Sequence, residues 1–183
     1  IYSGAWLNDK CDGYGEVKYT NGNYYKGFWN AGTKEGYGSL KFSNGTVKES
    51  VRFDGKEYCI TFSYPNGDIY IGSVENNIRN GYGAYNYSSG NSYKGMWKNG
   101  NQDGYGIYKT HNSTLIGFFA SNQLNGLGVY FGENEVYIGE FKEGKRSGLG
   151  VCQYNDLEPA IVFWDQDKII DPNGEGSFLY DHL

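Results

Sequence analysis

Glycine pairs spaced G-x-G recur along this chain at Gly13/Gly15, Gly36/Gly38, Gly81/Gly83, Gly104/Gly106, Gly126/Gly128, Gly148/Gly150 and Gly174/Gly176. The successive steps are 23, 45, 23, 22, 22 and 26 residues, the longest being two ordinary steps. A period of this size constrains the fold more than any other feature. It marks an array in which each unit is one supersecondary element that buries its apolar side against its neighbours.

Eleven residues before each of the first six pairs stands an aromatic or large apolar residue that opens a Y-x-G-x-W-like phrase. The phrases are Tyr2-Gly4-Trp6, Tyr25-Gly27-Trp29, Tyr70-Gly72-Val74, Tyr93-Gly95-Trp97, Leu115-Gly117-Phe119 and Tyr137-Gly139-Phe141. After the glycines the alternation continues, with Val17 and Tyr19, Leu40 and Phe42, Tyr85 and Tyr87, Tyr108, Tyr130, and Cys152 and Tyr154. Period-two spacing puts these residues on one face of two short strands per unit. Intervening positions such as Glu16, Lys18, Lys41, Asn86 and Lys109 are mostly polar, so the other face is read as wet.

Turn signals between units, at Asn21-Gly22, Asn44-Gly45, Asn66-Gly67 and Ser89-Gly90, suit hairpins that need positive φ. Where an indole or phenol lies across a neighbouring strand, only glycine leaves room, so glycines and rings are read as partners. The expected fold is all-β: an elongated, twisted, antiparallel single-layer sheet of consecutive β-hairpins. Eight hairpins at the usual strand spacing give a ribbon on the order of 75 Å long.

The composite phrase Y-x-G-x-W-x-x-G-x-x-x-G-x-G closely resembles the MORN repeat (membrane occupation and recognition nexus), over almost the whole chain. The array is expected over residues 1–156, with units starting near residues 2, 25, 47, 70, 93, 115 and 137. The third unit lacks the glycine pair. Aligned by Asn66-Gly67, it is expected to place Val47, Glu49 and Val51 in the Y-G-W slots and Tyr58 and Ile60 in the glycine slots. Residues 157–183 read as a divergent eighth unit and C-terminal cap, with Phe163 or Trp164 in the aromatic slot, because an open array must blunt its last edge strand. The chain opens at Ile1 inside a repeat, which points to a longer protein.

Composition narrows the function. The net charge of −5, the pI near 5.0 and the arginine set of Arg52, Arg79 and Arg146 argue against nucleic acid, which needs clustered basic residues. Cys11, Cys59 and Cys152 are an odd set with no CxxC pair, which suggests neither a disulfide framework nor a zinc site and fits a reducing, cytoplasmic compartment. The glycosylation-type strings at Asn44, Asn86 and Asn112 read as hairpin asparagines. No stretch approaches the ~18 apolar residues of a membrane span.

Catalytic chemistry finds few residues to use. His111 and His182 are the only histidines, and His111 lies in the turn THNST. No Walker loop, G-x-S-x-G elbow or H-E-x-x-H occurs. Cys152 reads as packing, and Asp165, Asp167 and Asp171 lack the order of a calcium loop. No enzyme, cofactor or metal is expected.

The resemblance implies a scaffold that assembles with itself or takes a protein partner, a peptide or helix, along an aromatic groove, often at cytoskeletal or membrane-linked structures. The expected groove residues are Tyr2, Trp6, Tyr25, Trp29, Glu49, Tyr58, Ile60, Tyr70, Tyr93, Trp97, Phe119, Tyr137 and Phe141, with about half of the rings serving as the fold's own core. Glu49 either meets a basic group on a partner or marks a place where the groove is open to water. Between the glycines, Tyr14, Tyr37, Tyr82, Tyr105, Leu127 and Leu149 point to the opposite face and form a second, shallower stripe. Two alternatives stand beside the scaffold. One is a phosphoinositide or phospholipid site at Lys142, Lys145 and Arg146, at ~1 kcal/mol per basic residue near an anionic surface. The other is the MORN region of a larger enzyme such as a methyltransferase or lipid kinase.

Overall fold

The structure is a computed structural model that describes residues 1–155 and 157–170. Among the described residues there are sixteen strands and no helix, and the strands hydrogen-bond in chain order in one antiparallel sheet. The strands are β1 (Tyr2–Leu7), β2 (Lys10–Lys18), β3 (Tyr24–Asn30), β4 (Thr33–Lys41), β5 (Val47–Phe53), β6 (Lys56–Ser63), β7 (Ile69–Glu75) and β8 (Ile78–Asn86). They continue as β9 (Ser92–Lys98), β10 (Asn101–Lys109), β11 (Thr114–Ala120), β12 (Gln123–Phe131), β13 (Glu135–Lys142), β14 (Lys145–Tyr154), β15 (Ala160–Asp165) and β16 (Lys168–Ile170). The chain divides into two units: Ile1–Asn76 with Gly83–Ser89, and Asn77–Tyr82 with Gly90 onward. The expected glycine pair Gly174/Gly176 and the rest of the proposed cap lie outside the described residues.

Two kinds of turn alternate. Within each hairpin the two loop residues both have positive φ, as at Asn99 (50°) and Gly100 (84°), the geometry whose twist matches the flanking strands. Between hairpins, Tyr19 accepts from the Gly22 amide and donates its own amide to Asn23, closing a longer loop in which Gly22 alone turns left-handed. Asn21-Gly22, Asn44-Gly45 and Asn66-Gly67 therefore mark connections between units, while the tightest turns use Asn-Asp, Ala-Gly, Ser-Asn and, at Asn99-Gly100, Asn-Gly.

The two glycines of the described pairs do different work. The first sits in a β-bulge at positive φ, as at Gly36 (70°), where the pairing of β3 with β4 shifts register between Gly27 and Trp29. The second lies beneath the unit's tyrosine. A Cβ on Gly15, Gly38, Gly83, Gly106 or Gly150 would fall within 3.0 Å of ring atoms of Tyr2, Tyr25, Tyr70, Tyr93 or Tyr137 respectively.

Tyr2, Tyr93 and Tyr137 also wedge edge-on between two large rings, one from the same hairpin and one from the next. Tyr93 meets Trp97 at 5.2 Å and Phe119 at 5.1 Å, and Tyr137 meets Phe141 at 5.3 Å and Trp164 at 5.6 Å. Edge-to-face pairs of this kind add about 0.5–1.5 kcal/mol beyond area burial. In the N-terminal unit a second ladder of stacked rings follows the glycines: Phe42, Phe62, Tyr64 and Tyr85, at spacings of 6.4, 6.2 and 5.8 Å. The core of this single-layer fold is thus one face of the sheet, roofed by its own rings.

The third hairpin departs from the expected register by one residue. Gly38 pairs with Ser50, Leu40 with Lys48 and Gly36 with Arg52, so the Y-G-W slots hold Lys48, Ser50 and Arg52 rather than Val47, Glu49 and Val51. A slip of one residue exchanges the two faces of a strand. Cys59, at φ 52°, takes the left-handed bulge position that glycine fills elsewhere. At the other end, Trp164 pairs with Gly148 and fills the aromatic slot, while Phe163 faces away.

Candidate partner-binding surface

The ring face is largely closed to a partner. Tyr25, Tyr70, Tyr93, Trp97, Phe119, Tyr137 and Phe141, placed along the expected groove with about half of its rings as core, are buried, and three of the tyrosines are fully so. Only Trp6, at 59%, offers a large exposed ring among those slots, while Tyr2 and Trp29 are half-buried. Cations lie over several rings: Lys34 over Tyr25 at 4.1 Å, Arg79 over Trp97 at 4.5 Å and Arg146 over Trp164 at 3.7 Å. Where Leu115 replaces a tyrosine, an open depression of about 360 Å³ remains, walled by Phe141 and Arg146.

In the third hairpin the same face carries charge in place of rings. Glu57 receives Lys48 Nζ and Arg52 at 2.5 Å each and the Ser50 hydroxyl at 3.3 Å. Burial opposes the Glu57 carboxylate, but the hydrogen bond and charge of Lys48, followed by Arg52, outweigh it and hold its pKa below the ordinary value. Ile60, two residues before the buried Phe62, keeps to this face.

Glu49 and Tyr58, expected in the ring groove, stand on the opposite face. Glu49 accepts a 2.5 Å hydrogen bond from the Tyr37 hydroxyl, which raises that phenol's pKa, and Tyr58 pairs with Val51. This outer face is where most of the exposed apolar surface lies. In the N-terminal unit it bears Tyr14, Phe28, Tyr37, Val51 and Tyr58, all 38–49% exposed, with Tyr14 and Phe28 edge to face at 5.5 Å. Beside this stripe runs a polar row in cross-strand register: Glu16, Lys26, Ser39, Glu49 and Thr61. In the C-terminal unit Tyr105 and Phe118 repeat the edge-to-face pair at 5.6 Å, followed by Leu127 at 70% exposure and Leu149 at 50%.

Sequence reasoning named the residues between the glycines but treated the rest of this face as wet. The missed signal is the position just after the second slot of each glycine pair, filled by Ile60 in the third unit, which runs Glu16, Ser39, Thr61, Ala84, Ile107, Val129 and Val151, from polar to aliphatic along the chain.

The basic patch is less available than its composition suggests. Arg146 pairs with Glu135 and, at 3.3 Å, with Asp167, and it stacks on Trp164; Lys142 and Lys145 stay exposed at the hairpin tip. Cys152 is fully buried, and its thiol donates to Glu135 at 3.2 Å. Burial, reinforced by that hydrogen bond, pushes its pKa up to about 11, the opposite of an activated nucleophile.

Three comparisons bear on this arrangement. The family model described as the MORN repeat matches residues 2–24, 25–47, 70–92, 93–114, 116–134 and 137–157, passing over the charged third hairpin. No curated protein matches the chain. Among solved structures, the SAS-4 (dCPAP) TCP domain of Drosophila melanogaster, in complex with a proline-rich motif of Ana2 (dSTIL), is similar at a TM-score of 0.54 and 15% identity. That match covers 83% of this chain and 84% of that one. The TCP10 domain of Danio rerio CPAP, in complex with a STIL peptide, matches at 15% identity over 93% and 98% of the two chains, with a TM-score of 0.24.

Proposed function

The chain belongs to the MORN-repeat family, and on that premise we propose that it is a noncatalytic scaffold that holds an extended partner peptide on the outer face of its N-terminal unit. The observation that carries this reading is the stripe of Tyr14, Phe28, Tyr37, Val51 and Tyr58, half-exposed and set beside Glu16, Lys26, Ser39, Glu49 and Thr61. Exposed tyrosine and phenylalanine bury large areas at low entropy cost, and adjacent polar groups supply direction. Ridges of rings suit a proline-bearing segment in particular, whose preformed extended helix loses little freedom on docking. The TCP domain with this fold is itself bound to a proline-rich motif. The buried ring face supports this role from below, since it supplies the rigidity that keeps the stripe in register.

A fluorescence-anisotropy screen of extended, proline-containing peptides tests the proposal with the wild type and a Tyr14→Ala/Phe28→Ala variant. A tenfold or greater loss of affinity in a variant with unchanged circular dichroism is expected. Equal affinity in the two folded proteins, with binding lost instead on Trp6→Ala, overturns the assignment in favour of the ring face.

A further inference from the structure

On the outer face of the N-terminal unit a further row lies two positions along each strand from Glu16, Lys26 and Ser39. Its cross-strand register sets Lys18 opposite Tyr24 and Tyr24 opposite Lys41, so one lysine stands on each side of a single tyrosine. Both lysines are exposed and Tyr24 is half-buried. With Tyr19, Gly22 and Asn23 these three line an open depression of about 590 Å³. The same register in the C-terminal unit holds Ser92, Lys109, Thr114 and Phe131, a single lysine among neutral side chains.

The two ammonium groups carry no counter-charge of their own. Among the described residues no carboxylate lies within ion-pair distance of Lys18 or Lys41. The acids of the adjoining row are both tied to phenols. Tyr24 hydrogen-bonds to Glu16, which raises the phenol's pKa to about 12, and Tyr37 donates to Glu49 at 2.5 Å. A chain of net charge −5 therefore keeps a locally positive pair beside the stripe of exposed rings.

We propose, resting on the scaffold reading above, that Lys18 and Lys41 form a carboxylate subsite that takes one glutamate or aspartate side chain of the partner peptide. Strands two apart in a sheet lie about 10 Å from each other, within the span of two flexible lysine stems closing on one acid from both sides. Spacing also says where that acid stands. Tyr14 and Lys18 are four residues apart along β2, or about 13 Å. An extended proline-type helix rises about 3.1 Å per residue, so the acid falls about four residues beyond the segment that lies on Tyr14 and Phe28.

The pair suits one side chain better than a charged surface. Attraction to an anionic membrane grows with the number of basic residues near it, and Glu16 and Glu49 in the adjoining row offset that gain. A single carboxylate needs only two donors, and hydrogen bonds from charged donors are the stronger kind. The subsite also supplies what the rings lack. A ridge of rings grips an extended peptide without fixing its direction, whereas one charge set to the side of the ridge fixes both direction and register.

Fluorescence anisotropy with matched peptides tests the subsite. Each peptide is an extended, proline-containing segment with one added residue about four positions beyond it, glutamate in one and glutamine in the other, and the pair is made with the addition at either end. The wild type is expected to favour a glutamate peptide by about tenfold at low salt, a preference that shrinks as salt screens the exposed charges. In Lys18→Gln/Lys41→Gln, with circular dichroism unchanged because both lysines are exposed, the two peptides should bind alike. Equal wild-type affinity for glutamate and glutamine at both ends overturns the subsite and leaves the scaffold reading standing. A glutamate preference that survives in the folded double variant also overturns it. If no peptide binds the folded wild type, the scaffold reading fails and the subsite with it. Phosphatidylserine vesicles are run alongside, and capture that needs the two lysines while glutamate and glutamine peptides bind alike assigns the pair to lipid and overturns the proposal.

Discussion

Tyr70 lies across Gly83. The phenol is fully buried, its hydroxyl donates to the Ser73 carbonyl at 2.6 Å, and a methyl group on Gly83 would stand 2.6 Å from the ring's Cζ. The tyrosine is held on the far side by its own hydrogen bond and cannot retreat without giving it up. One missing carbon atom thus sets how closely two strands and a ring can pack.

The same contact predicts a size threshold. Gly83→Ala should destabilise the fold by about 2–3 kcal/mol, the range for overpacking a buried site. Tyr70→Phe, which removes only the hydroxyl, should cost about 1 kcal/mol. Tyr70→Leu imitates the unit that naturally carries Leu115, where a Cβ on Gly128 meets its nearest atoms at 3.0 Å. The Tyr70→Leu/Gly83→Ala double variant should therefore lose less than the sum of its single changes, as read from urea midpoints in a double-mutant cycle.

Charge in the third hairpin should behave as a unit. Lys48 has a side chain only 6% exposed, so removing the Glu57 charge takes away the ion pair of a buried cation. Glu57→Gln is expected to lower stability by about 2 kcal/mol, and Lys48→Met/Glu57→Gln to recover part of it. Additive losses in the cycle would show that the pair is not coupled.

Acid should expose a second carboxylate. Asp68 accepts from the Tyr85 hydroxyl at 2.6 Å, from the Ser88 amide at 2.8 Å and from the Asn66 side chain at 2.9 Å. The Tyr85 bond, then the Ser88 amide, lower its pKa from 3.8 to about 2. A depressed folded pKa gives stability that is fully present above the unfolded value and is lost as pH falls through the folded one. Chemical denaturation between about pH 5 and pH 2 should show the wild type losing its advantage over Asp68→Asn across the interval from about 4 to about 2. A constant difference between the two proteins would contradict this.

Thiol chemistry should separate the cysteines. Cys59 is exposed, whereas Cys152 is fully buried with its pKa raised to about 11. At pH 8 only about one Cys152 in a thousand is thiolate, so a disulfide reagent should label Cys59 in the native protein and reach Cys152 only on unfolding. Labelling Cys59→Ser beside the wild type assigns the fast phase, and rapid native labelling of Cys152 would refute its protection.

The amino-acid sequence by itself determined the period, the two-strand unit, the antiparallel order and the partnership of rings with glycines. These follow from spacing within a single unit, and a repeat states the same local rule many times over. Tertiary structure decided what each face is worth. Lys48 and Glu49 are adjacent in the chain, and only the hydrogen-bonded register places Lys48 among the rings and Glu49 with Tyr37 on the other side. Tyr93 and Tyr105 are both aromatic residues in strands, yet one is fully buried and the other 53% exposed, because rings of its own hairpin and of the next roof the first. An aliphatic line of Ile107, Ile116, Val129, Ile138, Val151 and Ile161 likewise exists only across strands. Its members are 9 to 13 residues apart in sequence, and cross-strand pairing turns that separation into direct contact.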